Sequence, residues 1–196
     1  MKENITAVPD KLKGRLYPAV LELFSDNDFH QVNIREISTK TGVSSGTIYK
    51  YFTSKEDLIF TILDERIAEI GAAIKLHIAG LEEIKEVFRK VFWVTMDFYD
   101  KNPGVAITAF ITVPMRSWMR EKGFKRGVEH TALWQPIEKA RQKGAISPKV
   151  SDRQIVDLYY MFCYRLIQKW YYFGMTRKLV DWMSDYFDLF WKALKP

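Results

Sequence analysis

The chain has 196 residues, a net charge of +6, 47% hydrophobic residues and 28% charged residues. That length holds one domain, or a small domain joined to a larger one, and the composition excludes a wholly disordered chain. One cysteine, Cys163, excludes an intrachain disulfide framework and a Cys-rich zinc site. The three histidines, His30, His77 and His130, are too far apart for metal-ligand spacing, so neither a metal nor a cofactor is expected. The longest uncharged stretch, residues 102–115, falls well short of the roughly 20 apolar residues that cross a bilayer. The N-terminus lacks the apolar run of a secretory signal. We therefore expect a cytoplasmic protein without membrane contact. The isoelectric point near 9.2 is compatible with a polyanionic partner and equally with an ordinary basic protein.

Nearly every segment reads as helix, and no run alternates with period two between hairpin turns. A first helix over 10–26 puts Leu16, Val20, Leu23 and Phe24 on one face, and Pro18 should kink it or delay its start. Asn33, with Glu36 three positions on, opens a second helix that Gly42 ends. Ser44 caps a short third helix ending near Phe52. The run Ser54-Lys55-Glu56-Asp57 opens a fourth, extending to about residue 78. Longer elements follow. An amphipathic helix spans 81–101, a short apolar one 105–112, and a further one 123–144 with a kink at Pro136. Ser151 and Gln154 form a capping box for a helix to about residue 173, and 179–194 is the last. The expected architecture is all-α with about nine helices. A small N-terminal domain, residues 1–55, precedes a helical bundle, residues 56–196.

Function is concentrated in residues 34–52. Two short helices meet at Thr41-Gly42-Val43, where Gly42 suits a left-handed turn. Ile34, Ile37, Val43, Ile48 and Phe52 have the spacing to pack inward, leaving Arg35, Ser44, Ser45, Thr47, Tyr49, Lys50 and Tyr51 largely outward. This is a helix-turn-helix pattern, and its second helix can enter a major groove about 12 Å wide. Thr47, Tyr49 and Tyr51 can reach phosphate or a thymine methyl, and Lys50 guanine acceptors or phosphate. Gly46 lets the backbone approach closely, and Lys55 lies where an ammonium can meet a phosphate.

The stretch Gly42 to Leu58, G-V-S-S-G-T-I-Y-K-Y-F-T-S-K-E-D-L, resembles the DNA-binding domain of TetR-type transcriptional regulators. The resemblance is clear over the first quarter of the chain. It implies an all-helical homodimer with a small operator-binding domain and a larger effector-binding and dimerising domain. DNA-contacting positions then fall on Arg35, Ser44, Ser45, Thr47, Tyr49, Lys50, Tyr51 and Lys55. Several residues depart from the family pattern. Asp28 stands where glycine is usual, a position where another residue carries strain. Ser45 replaces a common basic residue, and Thr41 a common alanine.

Charge is not concentrated in this region: residues 1–55 hold eight Lys/Arg and six Asp/Glu, whereas residues 115–143 hold eight Lys/Arg and three acids. The basic segment reads either as a solvated face or as a contact for an anionic ligand. Beyond it, Phe92, Thr95, Met96, Tyr99, Trp118, His130, Trp134, Phe162 and Cys163 are candidates to line an effector pocket, with Thr95 and His130 as polar anchors. Plain core packing explains each one individually. The last two helices, about 152–173 and 179–194, are apolar on more than one face, which points to homodimerisation through them.

The combined expectation is a ligand-responsive regulator, a repressor by the family's default, released from palindromic DNA by a small apolar or aromatic effector. No P-loop, nucleophile elbow, metalloprotease motif or dinucleotide turn supports an enzyme. The competing interpretation is a ligand-binding or interaction module with a relic helix-turn-helix.

Overall fold

Ten α-helices and one π-helical turn follow one another in the computed structural model, which describes residues 7–120 and 131–196 and has no strand among them. The helices are α1 Asp10–Asp26, α2 Ile34–Thr41, α3 Ser45–Tyr51, α4 Lys55–Ile78, α5 Ile84–Lys101 and α6 Pro103–Ile107. The π-helical turn Thr108–Thr112 comes next, then α7 Met115–Arg120, α8 Trp134–Gln142, α9 Asp152–Tyr172 and α10 Leu179–Leu194. None of the described helices is long and apolar enough to cross a membrane.

Local chemistry sets most boundaries. Asn33 accepts from the Arg35 and Glu36 amides while Glu36 accepts from the Asn33 amide. Ser151 and Gln154 close the same reciprocal box at α9. Such pairs satisfy donors that a helix start leaves orphaned. Gly42, at φ 64°, ends α2 in the left-handed region. Glu83 caps α5 through the Lys85 and Glu86 amides, which starts that helix three residues later than the expected 81.

Four details differ from expectation. The α1 helix runs unbroken across Pro18, although that residue has no N–H to give Gly14 four positions back. Asp28 carries no left-handed strain, because Met175 is the one non-glycine residue with positive φ among the described residues. The apolar segment after residue 102 is an α-helix running into a π turn, followed by α7, a helix that the sequence does not announce. Pro136 lies in the first turn of α8, where its missing donor is not needed, so it introduces no kink there. The expected start of that helix, from residue 123, lies outside the described residues.

The chain divides into two compact units. The first holds residues up to Arg66 together with the segment from Gly104 through α7. Its core is Leu16, Val20, Phe24, Ile37, Ile48, Leu58 and Ile62, all fully or nearly fully buried. The second unit runs from Ile67 to Pro103 and takes in α8, α9 and α10. Here α10 packs on α5 and α9. Phe92 lies 4.8 Å from Phe190, 5.6 Å from Phe187 and 5.0 Å from Tyr159, ring centre to ring centre. Edge-on and tilted aromatic pairs of this kind add to the burial energy of the rings. The α10 N-terminus lacks a side-chain cap of its own. Asp100, at the end of α5, supplies it by accepting from the Leu179 and Val180 amides at 2.7 and 3.2 Å.

Candidate functional site

The outer face of α2 and α3 is built by the turn beneath it. Ile37, Val43 and Ile48 are buried against the first unit's core. Their burial fixes which side chains point outward: Arg35, Gly46, Thr47, Tyr49 and Lys50 are exposed, and Ser45 and Tyr51 are half-buried. Tyr49 is 57% exposed, a large aromatic side chain held on the surface. The Lys50 ammonium sits 5.6 Å from the Tyr51 ring centre. Ser44 is the α3 N-cap. Its hydroxyl accepts from the Thr47 amide at 3.1 Å and lies 2.8 Å from the Thr47 hydroxyl. This pair therefore fixes the start of the helix while remaining on its exposed side.

Lys55 has a different environment from the rest. Its ammonium donates to the Phe29 and Val32 carbonyls at 2.7 and 2.8 Å and lies 4.8 Å from the Phe29 ring centre. Two of its three donors tie α4 to the turn between α1 and α2; the third is what remains for a phosphate.

Three side chains that the sequence left unremarked or unexplained hold the turn. The Arg15 guanidinium donates to the Thr41 carbonyl at 3.0 Å. Lys40 pairs with Glu22 of α1 at 2.8 Å. The Thr41 hydroxyl donates to the Ile37 carbonyl and accepts from the Val43 amide, so it bridges the turn where an alanine could not. Thr41 was visible as a departure from the family pattern. Arg15 had no local signal, because its partner is 26 residues away. A further anchor joins α1 to α4: Glu65 accepts from Lys13 at 2.7 Å and from the Tyr17 hydroxyl at 3.0 Å. Burial, with the Glu65 carboxylate beside it, raises the Tyr17 pKa well above that of a free phenol.

The effector candidates separate. Phe92, Thr95, Met96, Tyr99 and Cys163 are all buried in the second unit, and Phe162 is half-buried beside Phe190. Thr95 and Tyr159 share a hydroxyl–hydroxyl hydrogen bond of 2.6 Å, and Thr95 also donates to the Val91 carbonyl. Burial pushes the Cys163 thiol up to about 12, partly offset by a hydrogen bond with Tyr159. Burial likewise raises Tyr99 and Tyr159, with Cys163 nearby adding to both. These groups are neutral at ordinary pH, so the cluster is an uncharged aromatic environment with a few hydroxyls. Trp118 belongs to the first unit, Trp134 is 37% exposed at the start of α8, and His130 lies outside the described residues.

Three cations of the basic segment, Lys139, Arg141 and Lys143, have structural partners. Lys139 and Lys143 donate to the Leu81 and Glu82 carbonyls ahead of α5. Arg141 binds Asp152 and the Ser147 and Val150 carbonyls, which closes the α8–α9 turn.

Comparison with known proteins bears on the same helices. The family described as "Bacterial regulatory proteins, tetR family" matches residues 18–62, which contain α2, α3 and the start of α4. The HTH-type transcriptional regulator UidR of Escherichia coli K12 is 26% identical over 166 residues, covering 82% of this chain and 84% of that protein. Among solved structures, the fatty acid degradation regulator FadR of Bacillus halodurans superposes with a TM-score of 0.83 at 16% identity, over 96% of this chain and 98% of that one. FadR of Bacillus subtilis, solved in complex with stearoyl-CoA, superposes with a TM-score of 0.81 at 18% identity, over 92% and 98%. The capped turn, the outward Thr-x-Tyr-Lys face and these matches agree: residues 18–62 match the tetR family of bacterial regulatory proteins, and most of the chain is similar to an HTH-type transcriptional regulator.

Proposed function

We propose that the protein is a ligand-responsive repressor that binds palindromic operator DNA as a homodimer and is released by a small, largely apolar or aromatic effector. The observation that carries this reading is the α3 face. Thr47, Tyr49 and Lys50 are held outward by burial of Ile48, on a helix short enough to lie within one groove. In this reading residues 1–55 contact DNA through Arg35, Ser44, Ser45, Gly46, Thr47, Tyr49, Lys50, Tyr51 and Lys55, while residues 56–196 bind the effector and dimerise.

The dimer reading draws on apolar side chains left outside the second unit's core. Tyr160, Met161, Tyr172 and Phe173 of α9 and its end, and Leu189 of α10, are each at least half exposed. Large apolar side chains left exposed on the last two helices are what a homodimer interface would cover. A twofold pair would present two α3 helices to half-sites about 34 Å apart. The effector reading draws on the neutral cluster of Phe92, Thr95, Met96, Tyr99, Phe162 and Cys163. Trp118, His130 and Trp134 remain outlying candidates. The stearoyl chain carried by Bacillus subtilis FadR belongs to the apolar class proposed here. An effector that binds one bundle arrangement better than another acts through α4, whose residues belong to both units. It shifts operator occupancy only by its differential affinity for the two arrangements.

Selection from a random duplex pool tests the reading. The expected result is enrichment of a palindrome whose affinity falls steeply with salt. Failure to enrich any duplex would leave a helical ligand-binding protein.

A further inference from the structure

Thr47 places its hydroxyl differently from several other threonines of the protein. Thr39, Thr41, Thr61 and Thr95 each donate to the carbonyl four residues behind. Thr47 stands in the first turn of α3, where the residue four positions back, Val43, lies before the helix. Its hydroxyl turns instead to the helix cap. It lies 2.8 Å from the Ser44 hydroxyl, which also accepts from the Thr47 amide at 3.1 Å. A hydroxyl has one donor and two lone pairs, and in this pair either oxygen can be the donor. Whichever of the two donates, the Thr47 oxygen is drawn back against residue 44. What its Cβ has left to present is the γ-methyl.

The residue is nevertheless exposed. Gly46 before it has no side chain and Ile48 after it is buried, so neither neighbour in sequence shields it. A threonine held in this way offers a groove an apolar contact rather than a hydrogen bond. In the major groove, the methyl presented among the four base edges is the one at C5 of thymine.

We propose that Thr47 determines specificity by packing its γ-methyl on the 5-methyl of one thymine in each half-site, while its hydroxyl stays with Ser44. The assignment rests on the regulator reading above and sharpens it. Of the two contacts open to Thr47, phosphate or thymine methyl, the bond to Ser44 favours the second. Ser44 is then a positioning residue: it caps α3 and keeps the Thr47 oxygen turned back along the helix.

The test remakes a duplex selected by the wild-type protein with deoxyuridine in place of each thymine in turn, in both half-sites at once. This removes the 5-methyl and leaves the pairing edge intact. At one position affinity should fall about tenfold, roughly threefold for each half-site. Titration of the same duplexes with Thr47→Ser and Thr47→Val identifies the reader, with melting temperatures within a few degrees of wild type. Serine keeps the hydroxyl and lacks the methyl, so thymine and deoxyuridine at that position should bind within about twofold of each other. Valine keeps a methyl and lacks the hydroxyl, so the loss should remain about tenfold. A selected half-site without thymine, no loss at any position, a loss that persists in Thr47→Ser, or one that disappears in Thr47→Val would overturn the proposal. If the wild-type protein selects no duplex, the regulator reading fails and this assignment falls with it. If it selects one and the discrimination is absent, the assignment alone fails.

Discussion

The α2–α3 face and the α5–α9–α10 core use similar residue types to opposite ends. Tyr49 and Tyr51 stand at or near the surface beside Lys50, whereas Tyr99 and Tyr159 are buried with their hydroxyls held neutral. On α3 the aromatic rings contribute little to stability and are available to a partner. In the core they are the stability, through the ring contacts of Phe92, Phe187 and Phe190. Exposure, rather than aromatic content, therefore separates the proposed recognition surface from the scaffold, and changes in the two regions should have separable consequences.

The largest effect should come from the core. Phe92→Ala removes a fully buried ring with three aromatic neighbours and should cost about 3–5 kcal/mol by urea unfolding. A loss under about 1 kcal/mol would mean that the cluster is loosely packed. Alkaline pH should act next, and on the same region. Cys163, Tyr99 and Tyr159 are held neutral by burial, with the thiol at about 12 against an ordinary 9.0. Above about pH 9 the unfolded chain loses these protons first, so the native state binds more protons and stability falls as pH rises. The urea midpoint should hold between pH 7 and 8.5 and drop by pH 10.5. Cys163→Ser would sharpen the assignment by removing the earliest titration.

Smaller effects belong to the turn and the caps. Gly42→Ala places a Cβ at φ 64° and 3.2 Å from the Arg15 guanidinium, and should cost about 1–2 kcal/mol while leaving the rest of the unit folded. Asp100→Ala leaves the Leu179 and Val180 amides without their acceptor and should cost about 1 kcal/mol, read as early hydrogen exchange at the start of α10.

The same contrast explains what could be read from sequence. The helix starts at Asn33, Ser44, Ser54 and Ser151, and the left-handed turn at Gly42, rest on interactions within a few residues, and the expected boundaries there match the structure closely. The outward set on α3 followed from the inward spacing of Val43, Ile48 and Phe52. The bracing contacts were not legible, because Arg15 to Thr41, Lys55 to Phe29 and Asp100 to Leu179 join residues distant in sequence. The π turn was hidden for a related reason. Val105 to Thr112 reads as ordinary apolar helix, and the Trp118 indole that donates to its Ala109 carbonyl lies nine residues further on. The effector candidates came from aromatic, methionine and polar-anchor residue types. Content cannot assign a residue to a unit, and Trp118 accordingly lies in a different unit from Phe92.

The central claim is that the exposed α3 side chains read DNA, and it has a direct test. A duplex selected by the wild-type protein is titrated with wild type, Tyr49→Ala and Lys50→Ala, each checked by thermal melting. Both side chains are exposed, so each variant should lose about tenfold or more in affinity while its stability stays within about 0.5 kcal/mol of wild type. Equal affinity across all three proteins would contradict the account.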